Sequence, residues 1–240
     1  MIFPPMRATV CLPTYNEREN VERMVRTLDG LGVQVLVIDD SSPDGTGEIA
    51  DRLAEELEHV SVVHRERKEG LGPAYLAGFE RALAAGADLI LEMDCDFSHD
   101  PADVPRLIAA ADDADLVLGS RYVPGGGTAN WGLLRRFVSR FGSLYAQILL
   151  GLPVRDLTGG FKCYRRKVLE TIDLDTIHSK GYAFQIETTY RAIRAGFRVV
   201  EIPIVFVDRQ VGGSKMSRTI VVEAVWKVPL LRLSTLRRGA

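Results

Sequence analysis

The feature that most limits the fold is a regular alternation of short apolar runs with helix-like segments in the first half of the chain. Between the apolar runs, apolar residues recur three or four positions apart, which is typical of amphipathic helices. Strands that are apolar on both faces and alternate with helices predict a mostly parallel sheet flanked by helices. We therefore expect an α/β fold of the Rossmann-like type, with strands at residues 8–12, 33–38, 60–64, 89–93 and 116–118.

A polar cluster follows most of these predicted strands. In a parallel sheet the carboxyl ends of the strands lie at one edge, and ligands bind outside that edge. Any one cluster also fits an ordinary turn or helix cap, because Asp, Asn, Ser, Gly and Pro are the usual turn residues. Four clusters at one edge favour a binding site; they are Pro13-Thr14-Tyr15-Asn16-Glu17, Asp39-Asp40, Asp94-Cys95-Asp96 and Gly119-Ser120-Arg121.

Asp94 and Asp96 form the most informative cluster. Residues two apart in an extended chain point the same way, so both carboxylates face one pocket if the strand continues past Asp94. Close carboxylates repel each other unless a cation lies between them. A hard divalent cation that keeps some waters and binds substrate phosphates fits this pattern, and His99 is near enough to support it. The alternative is a polar turn with a helix cap.

Length and composition fit a single domain over residues 1–240, with a nucleotide-binding part at about 8–122 and an acceptor part at about 123–240. The net charge of −2 gives no reason to expect nucleic acid as a partner. The three cysteines show neither a disulfide framework nor a zinc spacing, which suits a reducing cytosol. The longest uncharged run, 141–154, is shorter than the roughly 18–20 residues that span a membrane, and no signal peptide is predicted.

Several loops are marked by glycine. Residues 125–127 predict a mobile loop, and residues 156–162 place two glycines where the backbone approaches a ligand or makes a tight turn. The charged segment 65–72 lacks the phosphate-loop and dinucleotide fingerprints. We expect a connection there rather than a phosphate site, with contact between Lys68 and substrate as the less favoured alternative.

A further glycine-rich segment carries Arg209 and Lys215 after the strand predicted at residues 199–207. This loop either closes over phosphate or is simply solvated. We favour phosphate, because an acidic metal site alone does not balance the charge of a diphosphate plus a second phosphate.

The segment 133–150 predicts one long amphipathic helix. Arg135, Arg136 and Arg140 fall largely outside its apolar stripe. The pattern fits equally an interfacial helix among anionic lipid headgroups and a core helix whose arginines are solvated. A C-terminal segment also combines apolar and basic residues around Trp226, and this favours the alternative of a helix at the membrane surface. The stripe consists of Leu134, Phe137, Val138, Phe141, Leu144, Tyr145, Ile148 and Leu149.

The order of these motifs resembles that of the dolichol-phosphate (polyprenol-phosphate) mannosyltransferases. These are inverting enzymes of glycosyltransferase family 2 with the GT-A fold, and the resemblance covers roughly residues 8–225. The matching segments are 13–17, 39–46, 70–72, 94–99, 119–122, 156–161 and 207–215.

The resemblance implies transfer of mannose from GDP-mannose to a polyprenyl (dolichyl) monophosphate, giving polyprenyl phosphate β-mannose, with Mg²⁺ or Mn²⁺ as cofactor. Asp96 would be the chief metal ligand, with Asp94 and Ser98 as further candidates. The catalytic set would be Asp96, Arg121, Arg209 and Lys215. The donor would be bound by Pro13, Tyr15, Glu17, Ile38 and Asp40 at the nucleoside, by Asp94, Cys95 and Asp96 at the ribose and diphosphate, and by Arg121, Arg209 and Lys215 at the phosphates.

The proposed acceptor explains why the sequence shows no catalytic triad. A phosphate monoester is mostly ionised at neutral pH, since its second pKa is near ~6. It is therefore already a nucleophile, and the protein has to position it and stabilise the leaving group.

Two alternatives differ in chemistry or class. One is an enzyme that transfers glucose or another sugar from a UDP-sugar to the same lipid, and the other is a non-catalytic subunit of a membrane glycosylation complex. We expect a cytoplasmic protein, peripheral at the cytoplasmic face of a membrane, with a membrane-anchoring protein as a possible partner.

Overall fold

The computed structural model describes residues 6–208 and 226–232. The strands are β1 (Ala8–Thr14), β2 (Gln34–Asp39), β3 (Val60–His64), β4 (Leu89–Glu92), β5 (Leu116–Ser120), β6 (Gly127–Ala129), β7 (Lys162–Arg165), β8 (Val199–Pro203) and β9 (Val205–Val207). The α-helices are α1 (Val21–Asp29), α2 (Thr46–Glu56), α3 (Leu71–Ala84), α4 (Val104–Ala110), α5 (Leu133–Leu150), α6 (Arg166–Thr171), α7 (Gly181–Arg194) and α8 (226–232). Short 3₁₀ turns cover Pro101–Asp103 and Leu174–Thr176.

Seven strands form the central sheet in the order β3-β2-β1-β4-β7-β5-β8. All neighbouring pairs are parallel except those of β7, which runs antiparallel to both β4 and β5. The predicted mostly parallel α/β sheet is therefore confirmed. Because β7 lies between two strands of the first 122 residues, the predicted nucleotide-binding and acceptor parts share one sheet.

Both faces of the sheet are covered, and alternate residues of β1 show how. Val10 and Leu12 pack with α1, α2 and α4, whereas Cys11 points to the opposite face and packs with α3 and α7. Gly78 lets α3 approach the sheet closely, since a Cβ there would lie 2.9 Å from Ile38 Cδ1. The buried strands are thus covered by helices on each side, as their apolar runs predict.

Two sequence expectations at the end of the sheet are wrong. The single strand predicted at residues 199–207 is divided at Ile204. The backbone N–H of Ile204 donates to the carbonyl of Ser120, and its carbonyl accepts from the N–H of Gly127. β9 therefore leaves the main sheet and pairs with β6. The glycine-rich segment predicted as a loop at 125–127 therefore ends in a strand that begins at Gly127.

Helix α5 has the predicted bounds, but most of its apolar stripe faces solvent. Phe137 and Phe141 are 68% and 59% exposed, while the buried residues of the helix are Ser143, Ala146 and Leu150. This contradicts the alternative of a core helix. We call the exposed set the apolar face; it comprises Leu133, Leu134, Phe137, Val138, Phe141, Leu144 and Ile148 of α5 with Trp226 and Leu230 of α8.

Helix α8 lies beside the C-terminal end of α5. Arg232 donates to the carbonyl of Leu149, and Leu231 packs against the same core cluster as Leu149. None of the helices that the structure describes is long and apolar enough to cross a membrane.

Candidate active site

The loops after β1 and β2 are tied together by a buried carboxylate. Asp39 accepts hydrogen bonds from Thr14 Oγ1 at 3.1 Å and from the backbone N–H and Oγ of Ser42. Asn16 and Ser41 have left-handed backbones, with φ of 54° and 59°, which is uncommon outside glycine. Such backbone conformations cluster at ligand sites, so this part of the edge is a candidate binding site.

The residues predicted to bind the nucleoside lie at the ends of β1 and β2 and in the loops that follow them. Asp40 is 5% exposed and forms an ion pair with Arg65 at 2.5 Å. The side chain of Ile38 is fully buried in the core, so only its backbone can face a nucleoside. Pro13, Tyr15 and Glu17 are half-buried, and the ammonium of Lys68 lies 3.7 Å from the centroid of the Tyr15 ring.

The acidic loop after β4 is a tight turn rather than a continued strand. β4 ends at Glu92, so the condition that the strand continues past Asp94 is not met. Phe97 has a left-handed backbone with φ of 58°. Asp96 Oδ1 accepts from the backbone N–H of Ser98 at 3.0 Å and from its Oγ at 2.5 Å. Hydrogen bonds within the turn, and not strand alternation, orient Asp96.

His99 supports this loop from behind. It is 2% exposed, stacks on Phe161 with ring centroids 4.8 Å apart, and its Nδ1 accepts from the backbone N–H of Asp94 at 3.2 Å. Burial lowers the pKa of His99 to about 4, so the ring is neutral at physiological pH. A neutral ring can accept from the Asp94 amide, and this fixes the start of the loop.

Arg121 follows β5 and is held by Asp156. Its Nε and Nη2 donate to the two carboxylate oxygens at 2.7 and 2.6 Å, and its backbone N–H donates to Oδ2 at 3.0 Å. Burial opposes the charge on Arg121, but Asp156 outweighs it and raises the guanidinium pKa. Burial likewise opposes the charge on Asp156, whose pKa Arg121 nevertheless lowers. The pair is charged and 35 positions apart in sequence, a pairing that no local pattern reveals.

Helix α5 faces the same region with a polar stripe that sequence reasoning missed. Arg135 forms an ion pair with Asp208 at 2.7 Å, Ser139 Oγ accepts from Tyr122 OH at 2.8 Å, and Ser143 Oγ lies 3.1 Å from Thr158 Oγ1. Their spacing of four residues places them on one side of the helix. That spacing is visible in the sequence, but the longer apolar stripe obscured it.

Tyr182, at the start of α7, joins the two flanks. Burial raises the pKa of its phenol, and the charges of Arg121, Arg135 and Asp94 all act on it. The predicted residues Arg209 and Lys215 lie outside the described residues.

The acidic loop suits a divalent cation that is only partly coordinated by protein. Within residues 6–208 and 226–232, no three His, Cys, Asp or Glu side chains group as metal ligands. Asp94 and Asp96 supply the carboxylate oxygens that Mg²⁺ and Mn²⁺ prefer. Ser98 Oγ already donates to Asp96, and the Cys95 side chain is buried in the core. The metal-ligand roles of Asp94, Asp96 and Ser98 stay predictions.

A groove at the opposite edge of the sheet has a structural character. Arg165 donates to the carbonyls of Ala111 and Ala114, and Arg166 donates to that of Leu83. Lys167 pairs with Asp115 at 2.6 Å. These charged side chains connect helix ends to the sheet, so we assign the groove a structural role.

The sequence is similar to that of known glycosyltransferases. Residues 9–173 match the model of the family described as Glycosyl transferase family 2. The chain is 50% identical over 231 residues to polyprenol monophosphomannose synthase of Mycolicibacterium smegmatis, covering 95% of this chain and 87% of that protein. It is 51% identical over 225 residues to undecaprenyl-phosphate mannosyltransferase of Micrococcus luteus, covering 93% of each.

Two solved structures share the fold at lower identity. Glucosyl-3-phosphoglycerate synthase from Mycobacterium tuberculosis, in complex with Mn²⁺, UDP-glucose and phosphoglyceric acid, superposes with a TM-score of 0.66 at 19% identity over 93% of this chain and 80% of that one. A mannosyltransferase from Pyrobaculum calidifontis, in complex with GDP-mannose and Mn²⁺, gives 0.58 at 15% identity over 97% and 74%. The fold, the motifs along the carboxyl edge of the sheet and the family match agree, and the chain belongs to glycosyltransferase family 2.

Proposed function

We propose that this protein transfers mannose from GDP-mannose to a polyprenyl monophosphate and inverts the anomeric carbon to give polyprenyl phosphate β-mannose. Relatives that share half of their residues with the chain, over nearly all of its length, carry names for this kind of reaction. The donor and the metal are inferred from the motifs, and a shared fold with a GDP-mannose complex supports them.

The observation that carries the proposal is the two-sided character of α5. One side of the helix presents Arg135, Ser139 and Ser143 to the polar site, and the other side presents the apolar face to solvent. The polar side suits a sugar nucleotide and a phosphate head group, and the apolar side suits the membrane that holds the polyprenyl chain of the acceptor.

The residues have distinct tasks in this reaction. The loops after β1 and β2 bind the nucleoside. Asp94 and Asp96 would hold Mg²⁺ or Mn²⁺, and the ion would supply positive charge to stabilise the diphosphate leaving group. Arg121, Arg209 and Lys215 bind phosphates, with Arg121 kept in place by Asp156. The acceptor phosphate attacks in line without a general base, because it is ionised before it binds. Catalysis then consists of positioning and charge stabilisation.

The apolar face supports a peripheral position on a membrane, where we place the protein at the cytoplasmic side. Exposed Phe137, Phe141 and Trp226 enter the boundary between headgroups and acyl chains, as amphipathic interfacial helices do. The exposed Arg136 and Arg140 on the same helix attract anionic headgroups. A membrane-anchoring partner protein would bind the same apolar face.

The test is transfer of radiolabelled mannose from GDP-mannose to undecaprenyl phosphate by the purified protein, with Mg²⁺ and Mn²⁺ in parallel and with UDP-glucose as the competing donor. We expect an acid-labile mannolipid from GDP-mannose and none without metal. A glucolipid in place of the mannolipid would favour the UDP-sugar alternative. Absence of product with both donors and both metals would favour a non-catalytic subunit.

A further inference from the structure

Trp131 carries a buried hydrogen-bond donor without a partner. The residue follows β6 and is 7% exposed, and its Nε1–H meets no acceptor in the part of the chain that the structure describes. An indole N–H can only donate, and a buried donor left unpaired costs free energy in the folded protein. A bound water or a ligand can supply the missing acceptor.

The other unpaired buried side chains have a different explanation. Glu92 Oε2 and both amide atoms of Gln185 are unpaired, but these two side chains are neighbours and a hydrogen bond from Gln185 acts on the pKa of Glu92. These two side chains are therefore candidate partners for each other.

Two cations contact the Trp131 ring. The guanidinium carbon of Arg135 lies 4.2 Å from the ring centroid and that of Arg121 lies 5.6 Å from it. Each guanidinium is paired with one carboxylate, Asp208 and Asp156 respectively. The Arg135–Asp208 pair is partly exposed, with side chains at 29% and 34%. The indole thus lies beside two ion pairs, and the partly exposed pair leaves its guanidinium within reach of an incoming anion.

Trp131 is also close to the acidic loop. Its ring contacts Phe206 at a centroid distance of 5.2 Å, and Phe206 contacts His99 at 5.2 Å. His99 accepts from the backbone N–H of Asp94, and Val207 N–H donates to the carbonyl of Ser98 at 3.1 Å. One aromatic side chain therefore separates the unpaired donor from the histidine that holds the acidic loop.

We propose that the indole N–H of Trp131 donates a hydrogen bond to a phosphate oxygen of a ligand bound between the acidic loop and α5. This rests on the proposed function and adds a positioning residue to it. Phosphate is the chemistry that matches a donor-only group beside two guanidinium groups. The oxygen belongs either to the prenyl phosphate or to the nucleotide, and the experiment distinguishes them.

The experiment uses the indole N–H signals of the ¹⁵N-labelled full chain with Mg²⁺. The chain has two tryptophans, so Trp131→Phe and Trp226→Phe assign the two signals, and the 72% exposed Trp226 is the matched control. Farnesyl phosphate, farnesol, GDP and inorganic phosphate are titrated separately. We expect a downfield shift of the Trp131 signal with farnesyl phosphate if the lipid is the source, or with GDP if the nucleotide is, and none with farnesol.

Kinetics of Trp131→Phe provide the second measurement. Phenylalanine keeps a ring for Phe206 and Arg135 but removes the donor, so we expect KM for the phosphate ligand to rise about ten- to hundredfold, as for loss of a hydrogen bond to a charged group. Thermal unfolding checks that the variant folds, and if it does not, the wild-type titration decides.

A Trp131 signal that no phosphate moves, or a folded Trp131→Phe enzyme with unchanged KM, overturns the proposal. Neither outcome depends on the sugar transferred. Wild-type mannose transfer with an unmoved indole signal would leave the proposed function standing and remove only this inference.

Discussion

The interior of the sheet contains buried charged residues, whereas the surface of α5 carries exposed apolar residues, and both are the reverse of what is usual in a folded protein. Behind the carboxyl edge, Glu92, Lys162, Arg121 and Asp156 are charged residues with at most 6% exposure. On α5, large apolar side chains such as Phe137 are mostly exposed. Buried charges are rare unless paired, and exposed apolar patches mark interaction sites. Each departure lies next to the polar site.

The difference shows two ways in which a fold gives up stability for function. The buried charges have specific partners: Lys162 Nζ donates to the carbonyl of Gln185 at 2.8 Å, and Glu92 Oε1 accepts from Tyr164 OH at 2.8 Å. The apolar face has no such internal partners in the described chain. We therefore expect changes to the buried charges to act on stability or turnover, and changes to the apolar face to act on membrane binding alone.

The largest effect on stability should come from Asp156→Asn. It leaves Arg121 buried beside a neutral amide, and breaking a buried pair costs about 3–5 kcal/mol. Urea unfolding measures the free energy, with Asp113→Asn at an exposed position as the control. The double variant Arg121→Met/Asp156→Leu should recover much of the stability and still lack transferase activity, since Arg121 is proposed to bind phosphate. Equal stability of Asp156→Asn and wild type would contradict the structural role of the pair.

The largest effect on turnover should come from Asp96→Asn, which keeps the shape of the side chain but removes a proposed metal ligand. We expect mannose transfer to fall by at least about 10²-fold, the scale for losing one preorganised charge interaction in a transition state. Asp100→Asn is the matched control, because Asp100 is exposed and only caps the following 3₁₀ turn. Substantial metal-dependent activity in Asp96→Asn would refute the metal assignment.

The double variant Phe137→Ser/Phe141→Ser should distinguish the role of the apolar face in membrane binding from the role of the active site in sugar transfer. We expect binding to vesicles with anionic lipid to weaken by about ten- to hundredfold, since burying a phenylalanine side chain is worth about 1.5–3 kcal/mol and interfacial burial is partial. The free energy of unfolding should change by less than about 0.5 kcal/mol, as for ordinary surface positions.

Co-sedimentation with vesicles measures the binding, and transfer to farnesyl phosphate in solution should be unaffected. Leu31→Ser, at an exposed apolar position after α1, is the control. Wild-type vesicle binding by the double variant would show that the apolar face has another partner.

A smaller effect is expected on the pH dependence of stability. Burial lowers the pKa of Lys162 to about 8, from an ordinary value of 10.5. Between these values the unfolded chain binds a proton at Lys162 that the folded protein has lost, so Lys162 makes stability rise with pH across this window. Burial raises the thiol pKa of Cys11 and Cys163, so these two groups make stability fall as the unfolded thiols ionise. Urea unfolding from pH 7.5 to about 10 measures the net slope, which should be lower in Lys162→Met than in the wild type and unchanged in the exposed Lys167→Met. Equal slopes in the wild type and Lys162→Met would mean that Lys162 stays protonated throughout.

The sequence patterns predicted those features that depend on local periodicity. The strand Val60–His64 and the helix Leu133–Leu150 have the predicted bounds, because apolar runs and helical spacing are local properties. The position of β7 between β4 and β5 was not predictable in this way, since nothing within Lys162–Arg165 specifies its neighbours. The burial of α5 was equally open, because an amphipathic stripe looks the same whether protein or solvent covers it.

The candidate site was predicted where it depends on strand ends and was missed where it depends on distant pairs. The sequence predicts Asp94, Asp96 and Arg121 as edge residues, but the orientation of Asp94 and Asp96 depends on a turn that begins after the strand ends at Glu92. The partner of Arg121, Asp156, lies in a loop that only the tertiary fold brings near. Trp131 and Tyr182 carry no motif, and their importance follows from burial and from the charges around them.

The insertion of β7 has a consequence for biosynthesis. When the ribosome has released the chain only as far as Tyr122, β5 has no hydrogen-bonded neighbour within the sheet, because the two strands that flank it are β7 and β8. The emerging chain therefore has to keep an apolar strand apart from other chains until at least Arg165 is available. Arg121 likewise lacks its carboxylate partner until Asp156 has been synthesised, so this ion pair and the contacts between β5 and β7 become available in the same interval of translation.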